Sequence, residues 1–276
     1  MINSQLIIDR AIQKRSQVRG SARDLTFFHI SDSGTCYRKR YMKRLGVEPI
    51  IPIPTASLRK MLAGDAGHEM LQELLRNDGA LFAYEQKVGN EDIKGHHDGI
   101  IKTEGGAKVL LEFKTVEKWA MSHITGSCTC SGDKAHDYGP KPEHKLQMFT
   151  YWRFLRTDYK NLDQASLVYI KREDFGAKQF DFLWDESFNQ IVIDEWLPLL
   201  KYWAKQELPP CTCHLDYGGN GVKYCRYKNE DETNCCMEEL INSIGAGGGV
   251  SSEEKPQIPA SRPQAASEND EAAIRR

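Results

Sequence analysis

The order of periodic segments predicts a mixed α/β (α+β) fold, with a mixed central sheet flanked by helices. Three observations carry this. Strand-like runs follow one another closely in "LFAYEQKVG", "IKGHHDGII" and "AKVLLEFKTV", with short turns such as Gly105-Gly106 between them, as an antiparallel meander requires. Segments with apolar residues at helical spacing precede and follow that meander. Two more strand-like runs, "ASLVYIKR" and "KQFDFLWD", then lead into a last helix.

In chain order, residues 3–19 read as an amphipathic helix, with Leu6, Ile7, Ile8, Ala11 and Ile12 at helical spacing. A second helix begins near Ser33 and carries a basic stretch to Leu45. The prolines of "GVEPIIPIPTA" make that segment a connector, because no helix runs through them. A third helix covers about 56–77 and is closed by Asp78-Gly79. After the meander, residues 122–141 read as a loop. "PEHKLQMFTYWRFLR" is a helix with Pro142 in its first turn. The last helix, about 186–206, stops at Pro209-Pro210. The expected organisation is a helical segment over 1–29, one domain over 30–240 with a cysteine-rich part at 211–236, and a disordered tail over 241–276. That tail is dominated by glycine, serine, proline and charge and has little apolar surface to bury.

Composition excludes some classes. Among 276 residues, 28% are charged and 40% hydrophobic, which is ordinary for a globular chain, and no run reaches the ~18 apolar residues of a membrane span. Charges at Asp9 and Arg10 directly after a short apolar patch are unlike a secretory signal, so a cytoplasmic chain with no membrane partner is expected. A net charge of −2 gives no global field toward nucleic acid. Locally, "CYRKRYMKRLG" gathers Arg38, Lys39, Arg40, Lys43 and Arg44 around Tyr37 and Tyr41. The plain reading is a solvated helix face, and the sharper one a phosphate-binding patch.

The chemistry concentrates in the meander. In "LLEFKTV", alternation turns Glu112 and Lys114 to one face of an otherwise apolar strand, a costly placement unless the charges are needed there. The preceding "GHHDGII" offers Asp98, which meets Glu112 if the strands are neighbours. Two converging carboxylates make a hard oxygen site for Mg²⁺ or Mn²⁺, and a lysine beside them suits phosphodiester hydrolysis. In "GDAGHEMLQ", His68 sits on a helix four residues after Gly64, and in "QMFTY", Gln147 and Tyr151 share a helix face.

Taken together over residues 30–236, these fragments resemble the RecB-like branch of the PD-(D/E)XK nuclease superfamily. The likeness is greatest to its iron–sulfur members, such as CRISPR adaptation nucleases and phage exonucleases. "GDAGH" is similar to that family's G-x-x-x-H motif, "GHHD" to G-x-x-D, "EFK" to E-x-K and "QMFTY" to Q-x-x-x-Y, in the family's order. The resemblance implies a restriction-endonuclease-like fold. It also implies His68, Asp98, Glu112 and the carbonyl of Phe113 as metal ligands, Lys114 as catalytic lysine, and Gln147 and Tyr151 as residues that hold the DNA. His97 stands where the superfamily's name has proline. Arg38, Lys39, Arg40, Lys43 and Tyr41, with Arg59-Lys60, would guide the backbone, and Tyr37, Tyr41 or Trp152 would stack on bases.

The implied function is a metal-dependent exonuclease on single-stranded DNA or duplex ends, in recombination, repair, phage DNA metabolism or CRISPR-type adaptation. If phage-encoded, it would work in the host cytoplasm. The alternative is a metal-stapled DNA-binding adaptor. A homo-oligomer, or a recombination or CRISPR-type protein partner, is open in either case.

Of eight cysteines, five fall in the 26 residues from Cys211 to Cys236, and Cys36 stands alone near the start. In a reducing compartment such clustering points to metal or to reactive thiols. The family's 4Fe-4S cluster is held by one N-terminal and three C-terminal cysteines, which would tie the two ends of the domain together. "VKYC" has Val222 where the first cysteine of the family's C-x-x-C falls. The expected set is Cys36, Cys213, Cys225 and Cys235, with Cys211 and Cys236 as alternates, and a structural Zn²⁺ on four thiolates is the rival. Cys128 and Cys130, with His123 and His136, read as part of an ordinary loop, with a second metal site the weaker alternative.

Overall fold

The computed structural model describes residues 4–21, 23–128, 138–213 and 225–227. The chain divides into two compact units, Met1–Gly34 with Ile53–Val192, and Thr35–Pro52 with Ile193–Arg276. The expected tail over 241–276 lies outside the described residues. No helix among the described residues is long and apolar enough to cross a membrane.

The first unit is a mixed α/β structure with two mixed sheets. Helix α1 (Ser4–Ser21) is joined to α3 (Thr55–Asn77) by the Arg59–Asp9 ion pair at 2.6 Å and by Gln13 Nε2 donating to Thr55 Oγ1 at 2.9 Å. The larger sheet orders β2 (Leu81–Ala83), β5 (Gly99–Lys102), β6 (Lys108–Val116), β7 (Gln164–Lys171) and β8 (Ala177–Leu183). Only β6 and β7 run parallel, and the other neighbours are antiparallel. The smaller sheet orders β1 (Phe28–His29), β4 (Ile93–His96) and β3 (Lys87–Gly89). β6 and β7 are central strands buried over most of their length, which explains their near-continuous apolar runs. Val109, Leu111 and Phe113 pack with Val168 and Ile170 against Leu71 and Leu75 of α3. Residues 118–125 form α4 (Lys118–Thr125), closed by Gly126 in the left-handed conformation at φ 75°, so the start of the loop expected over 122–141 is helical as far as residue 125. α5 (Pro142–Asp158) has its proline at N1, as the sequence predicts.

The simple three-strand meander needs a correction. Each of the first two runs is broken, so that β2 pairs with β5 in the larger sheet and β3 with β4 in the smaller. The hairpin passes from one sheet to the other at residues 84–86 and 97–98. There Glu85 takes a left-handed φ of 48°, its N–H donates to the His97 carbonyl at 3.0 Å, and the His97 N–H donates to Gln86 O at 3.4 Å. Asp98 lies at this switch, outside regular pairing.

The second unit contains α2 (Tyr37–Arg44) and the end of α6 (Ser187–Lys205), which begins in the first unit. Pro198 stands inside α6 and removes the N–H that would bond the Asp194 carbonyl. The Tyr37 hydroxyl donates to that carbonyl at 3.3 Å instead. α2 lies against α6 through the Arg40–Glu195 ion pair at 2.5 Å, with the Arg40 guanidinium over the Trp196 ring and Arg44 over Trp203.

Candidate active site and cysteine centre

The first unit brings the catalytic candidates together from three elements, α3, β6 and α5, and from the sheet switch that carries Asp98. α3 delivers His68, and its glycines explain how: a Cβ on Gly64 would lie 3.0 Å from Thr115 Oγ1, and one on Gly67 3.3 Å from Thr115 Cγ2. Glycine at these helical positions costs about 1 kcal/mol relative to alanine, so the close approach of α3 to β6 is the reason for them. His68 Nε2 meets Asp98 Oδ2 at 3.0 Å, and the same oxygen accepts the Phe113 N–H at 2.6 Å. Asp98 is thereby fixed between the helix and β6.

Glu112, on the neighbouring position of β6, is fully buried. Its Oε1 accepts from Lys114 Nζ at 2.8 Å, and Lys114 also donates to Gln147 Oε1 at 2.9 Å. Glu112 Oε2 is buried with no hydrogen-bond donor among the described residues. Burial, followed by the nearby Asp98 charge, pushes the Glu112 carboxyl from its ordinary 4.5 up to about 7. Burial opposes the charge on Lys114, but Glu112 and Asp98 outweigh it and hold the lysine above its usual range. The His68 imidazole is likewise raised despite its burial, chiefly by its hydrogen bond to Asp98.

Tyr151, one helical turn after Gln147, is buried, and burial then Glu112 raise its hydroxyl well above the usual range. A Cβ on Gly95 would lie 2.7 Å from the Tyr151 Oη, so only glycine on β4 leaves room for this ring. That is the physical content of the glycine in "GHHD". His97 is buried in the proline position, with both ring nitrogens lacking partners among the described residues, and burial lowers it to about 4.

Sequence reasoning missed Glu85 and Gln72. The three residues whose ligand atoms lie within 4.8 Å of one another are His68, Glu85 and Asp98, and Glu112 stands outside that group. Gln72 Nε2 bridges Glu85 Oε1 at 2.6 Å and the Asp98 carbonyl at 3.1 Å. Gln72 follows His68 by four positions on α3, a spacing that could have flagged it. Glu85 has no local motif, because its position depends on the strand break.

The basic segment needs correcting on burial. Arg38, Arg40 and Tyr41 are buried. Arg38 donates to the Pro209 carbonyl at 2.8 Å, Arg40 is paired with Glu195, and the Tyr41 ring packs edge-on against Trp203. These side chains hold the second unit together. Lys39 and Lys43 are only partly buried. Trp152 is fully buried and donates to Leu162 O, so it is no stacking platform for bases. Arg59 and Lys60 are exposed and engaged with Asp9 and Glu117.

In the second unit, the Sγ atoms of Cys36, Cys211 and Cys213 lie within 4.8 Å of one another. Cys36, Cys213 and Cys225 are buried together with Met42 and Tyr227, with Cys211 packed against them. The Thr212 N–H donates to Cys36 Sγ at 3.3 Å, a contact that favours a thiolate. This group could hold a metal. Cys235 and Cys236 lie outside the described residues, as do Cys130 and His136, while Cys128 Sγ meets His123 Nε2 at 3.5 Å.

No family model matches this chain, and no curated protein does. Among solved structures, it is similar to SSO0001, with a TM-score of 0.48 and 18% identity over 80% of this chain and 94% of that one. It is also similar to LHK-Exo in complex with dAMP, with a TM-score of 0.45 and 15% identity over 66% of this chain and 90% of that one.

Proposed function

We propose that the first unit is a metal-dependent deoxyribonuclease of the RecB-like PD-(D/E)XK type, acting as an exonuclease on single-stranded DNA or duplex ends. The observation that carries this reading is the unpartnered Oε2 of buried Glu112, beside Asp98 and a lysine. An acid driven into the protein core and given one donor for two oxygens suits a cation, and the set of carboxylates with an imidazole suits Mg²⁺ or Mn²⁺. His68, Asp98, Glu112 and the Phe113 carbonyl would hold it. When bound, such an ion supplies activation of water and neutralisation of phosphate charge.

The chain's own groups have separable tasks. Lys114, kept protonated by Glu112 and Asp98, is placed to offset charge on a phosphate oxygen. Gln147 fixes the lysine through its amide oxygen and is hydrogen-bonded to the Tyr151 hydroxyl, so that the three side chains are held as one unit. Tyr151 keeps its proton and can only donate or accept a hydrogen bond. Of the basic segment, Lys39 and Lys43 are less buried than the arginines and would meet a DNA backbone.

For the cysteine centre we infer a 4Fe-4S cluster, on the sequence resemblance and the four-cysteine pocket. Cys36, Cys213 and Cys225 would ligate it, and Cys211 completes the set within the described residues. Structural Zn²⁺ is the second reading, favoured by the thiol spacing. Four thiolates about 2.3 Å from one zinc stand about 3.8 Å apart, a spacing that Cys36, Cys211 and Cys213 approach, while Cys225 lies outside that close group. Absorption of anaerobically purified protein separates the two: a broad visible band means iron–sulfur, and a colourless protein with one bound zinc means the rival.

The nuclease reading is tested by incubating labelled single-stranded and duplex DNA with Mg²⁺ or Mn²⁺. Wild type is expected to release nucleotides and Glu112→Ala to release none. A wild type that binds DNA and leaves it intact in both metals would make the protein an adaptor.

A further inference from the structure

Helix α5 presents a third residue on the face that carries Gln147 and Tyr151. His144 precedes them by three and seven positions, and Lys114 acts on its imidazole electrostatically. Its Nδ1 lies 2.9 Å from the hydroxyl of Tyr169, a residue with no exposed surface. Tyr169 is the direct cross-strand partner of Lys114 in the parallel β6–β7 pairing. Its hydroxyl oxygen also accepts the Lys141 N–H at 2.9 Å, at the start of α5.

This arrangement decides where the protons are. The Tyr169 oxygen accepts from the backbone, and its own proton has one acceptor among the described residues, His144 Nδ1. Burial, then the charges of Lys114 and Lys141, keep the imidazole neutral far below its usual range. A neutral ring that accepts at Nδ1 carries its hydrogen on Nε2. That Nε2 has no partner among the described residues and is not a buried orphan. The result is a donor without charge, on the helix face of the proposed DNA contacts and next to the catalytic lysine.

We propose that Tyr169 locks His144 as the Nε2–H tautomer, and that Nε2–H donates to a phosphate oxygen of the bound DNA strand. The inference rests on the nuclease reading and extends it with one substrate-contacting residue, His144, and one positioning residue, Tyr169. A neutral donor has an advantage here: a second cation beside Lys114 would repel both the lysine and the metal site.

The test has two independent arms. In the first, ¹⁵N-histidine NMR of the wild type reads the tautomer: Nε2 should carry the proton and Nδ1 should not, and in Tyr169→Phe that preference should be lost. An Nδ1–H signal in the wild type overturns the proposal, and this arm needs no variant of His144 to fold. In the second, anisotropy of a fluorescent oligonucleotide in Ca²⁺ measures affinity. His144→Leu should bind about tenfold more weakly or worse, as loss of a hydrogen bond to a charged group does. His144→Gln, whose amide nitrogen reaches close to the Nε2 position, should recover most of the loss. Equal affinity of His144→Leu and wild type overturns the proposal while leaving the nuclease reading intact, as does a His144→Gln variant as weak as His144→Leu. A wild type that neither binds nor cuts DNA overturns both together.

Discussion

Glu112 should make the metal-free protein less stable as pH rises. Its carboxyl moves from an ordinary 4.5 to about 7 on folding, mainly because it is buried. Between those values the folded state keeps a proton that the unfolded chain has lost. The unfolded state therefore binds fewer protons, and unfolding free energy falls with increasing pH. At 1.36 kcal/mol per pKa unit, the full excursion is worth about 3 kcal/mol. The assay is urea unfolding in the presence of chelator at pH 5, 6, 7 and 8, for wild type and Glu112→Gln. Other carboxylates titrate in both proteins and cancel in the difference, so the variant should gain on wild type by up to about 3 kcal/mol across the series, nearly all of it below pH 8. Mn²⁺ should act in the opposite sense, because it binds the ionised form: its affinity should weaken as pH drops below about 7. Parallel unfolding curves for the two proteins at every pH would refute the burial argument.

Gly95→Ala puts a methyl 2.7 Å from the Tyr151 hydroxyl, and should cost about 1–3 kcal/mol in thermal unfolding and reduce cleavage. Combining it with Tyr151→Leu should cost less in stability than the sum of the single changes, since the clash is relieved. Arg40→Ala should destabilise by about 3–5 kcal/mol, because Glu195 loses its partner in a mostly buried setting. Lys39→Ala should change stability by less than about 0.5 kcal/mol, and for Lys39→Ala and Lys43→Ala binding titrations across salt should show a shallower slope for DNA. Cys36→Ser should lose the metal or cluster, read by elemental analysis, and lower the melting temperature whichever centre is present.

Much of the architecture can be read from the residues. The long helices, the strands β6 to β8 and the stop at Asp78-Gly79 follow from local periodicity and turn chemistry, and the structure has them within a few residues. The meander does not follow, because "LFAYEQKVG" and "IKGHHDGII" look continuous until two sheets compete for their halves. Glu85 escaped for the same reason: its role comes from a left-handed backbone at the sheet switch, and no periodicity marks that. The basic segment misled in a different way. Charge in "CYRKRYMKRLG" suggests solvent or phosphate, but Trp196, Trp203 and Glu195 on α6, more than 150 positions away, are what the arginines meet. Long guanidinium side chains can be buried when flat rings and a carboxylate receive them. By contrast, the pairing of Glu112 with Lys114 was legible from alternation alone, and the two do meet at 2.8 Å.

The central claim is that His68, Asp98 and Glu112 share one divalent cation beside Lys114. Anomalous diffraction from crystals grown with Mn²⁺ tests it most directly. The expected result is a manganese peak bonded to His68, Asp98 and Glu112 Oε2, with the Lys114 ammonium alongside. A peak held by His68, Glu85 and Asp98 with Glu112 unbound, or no peak at this site, would contradict it.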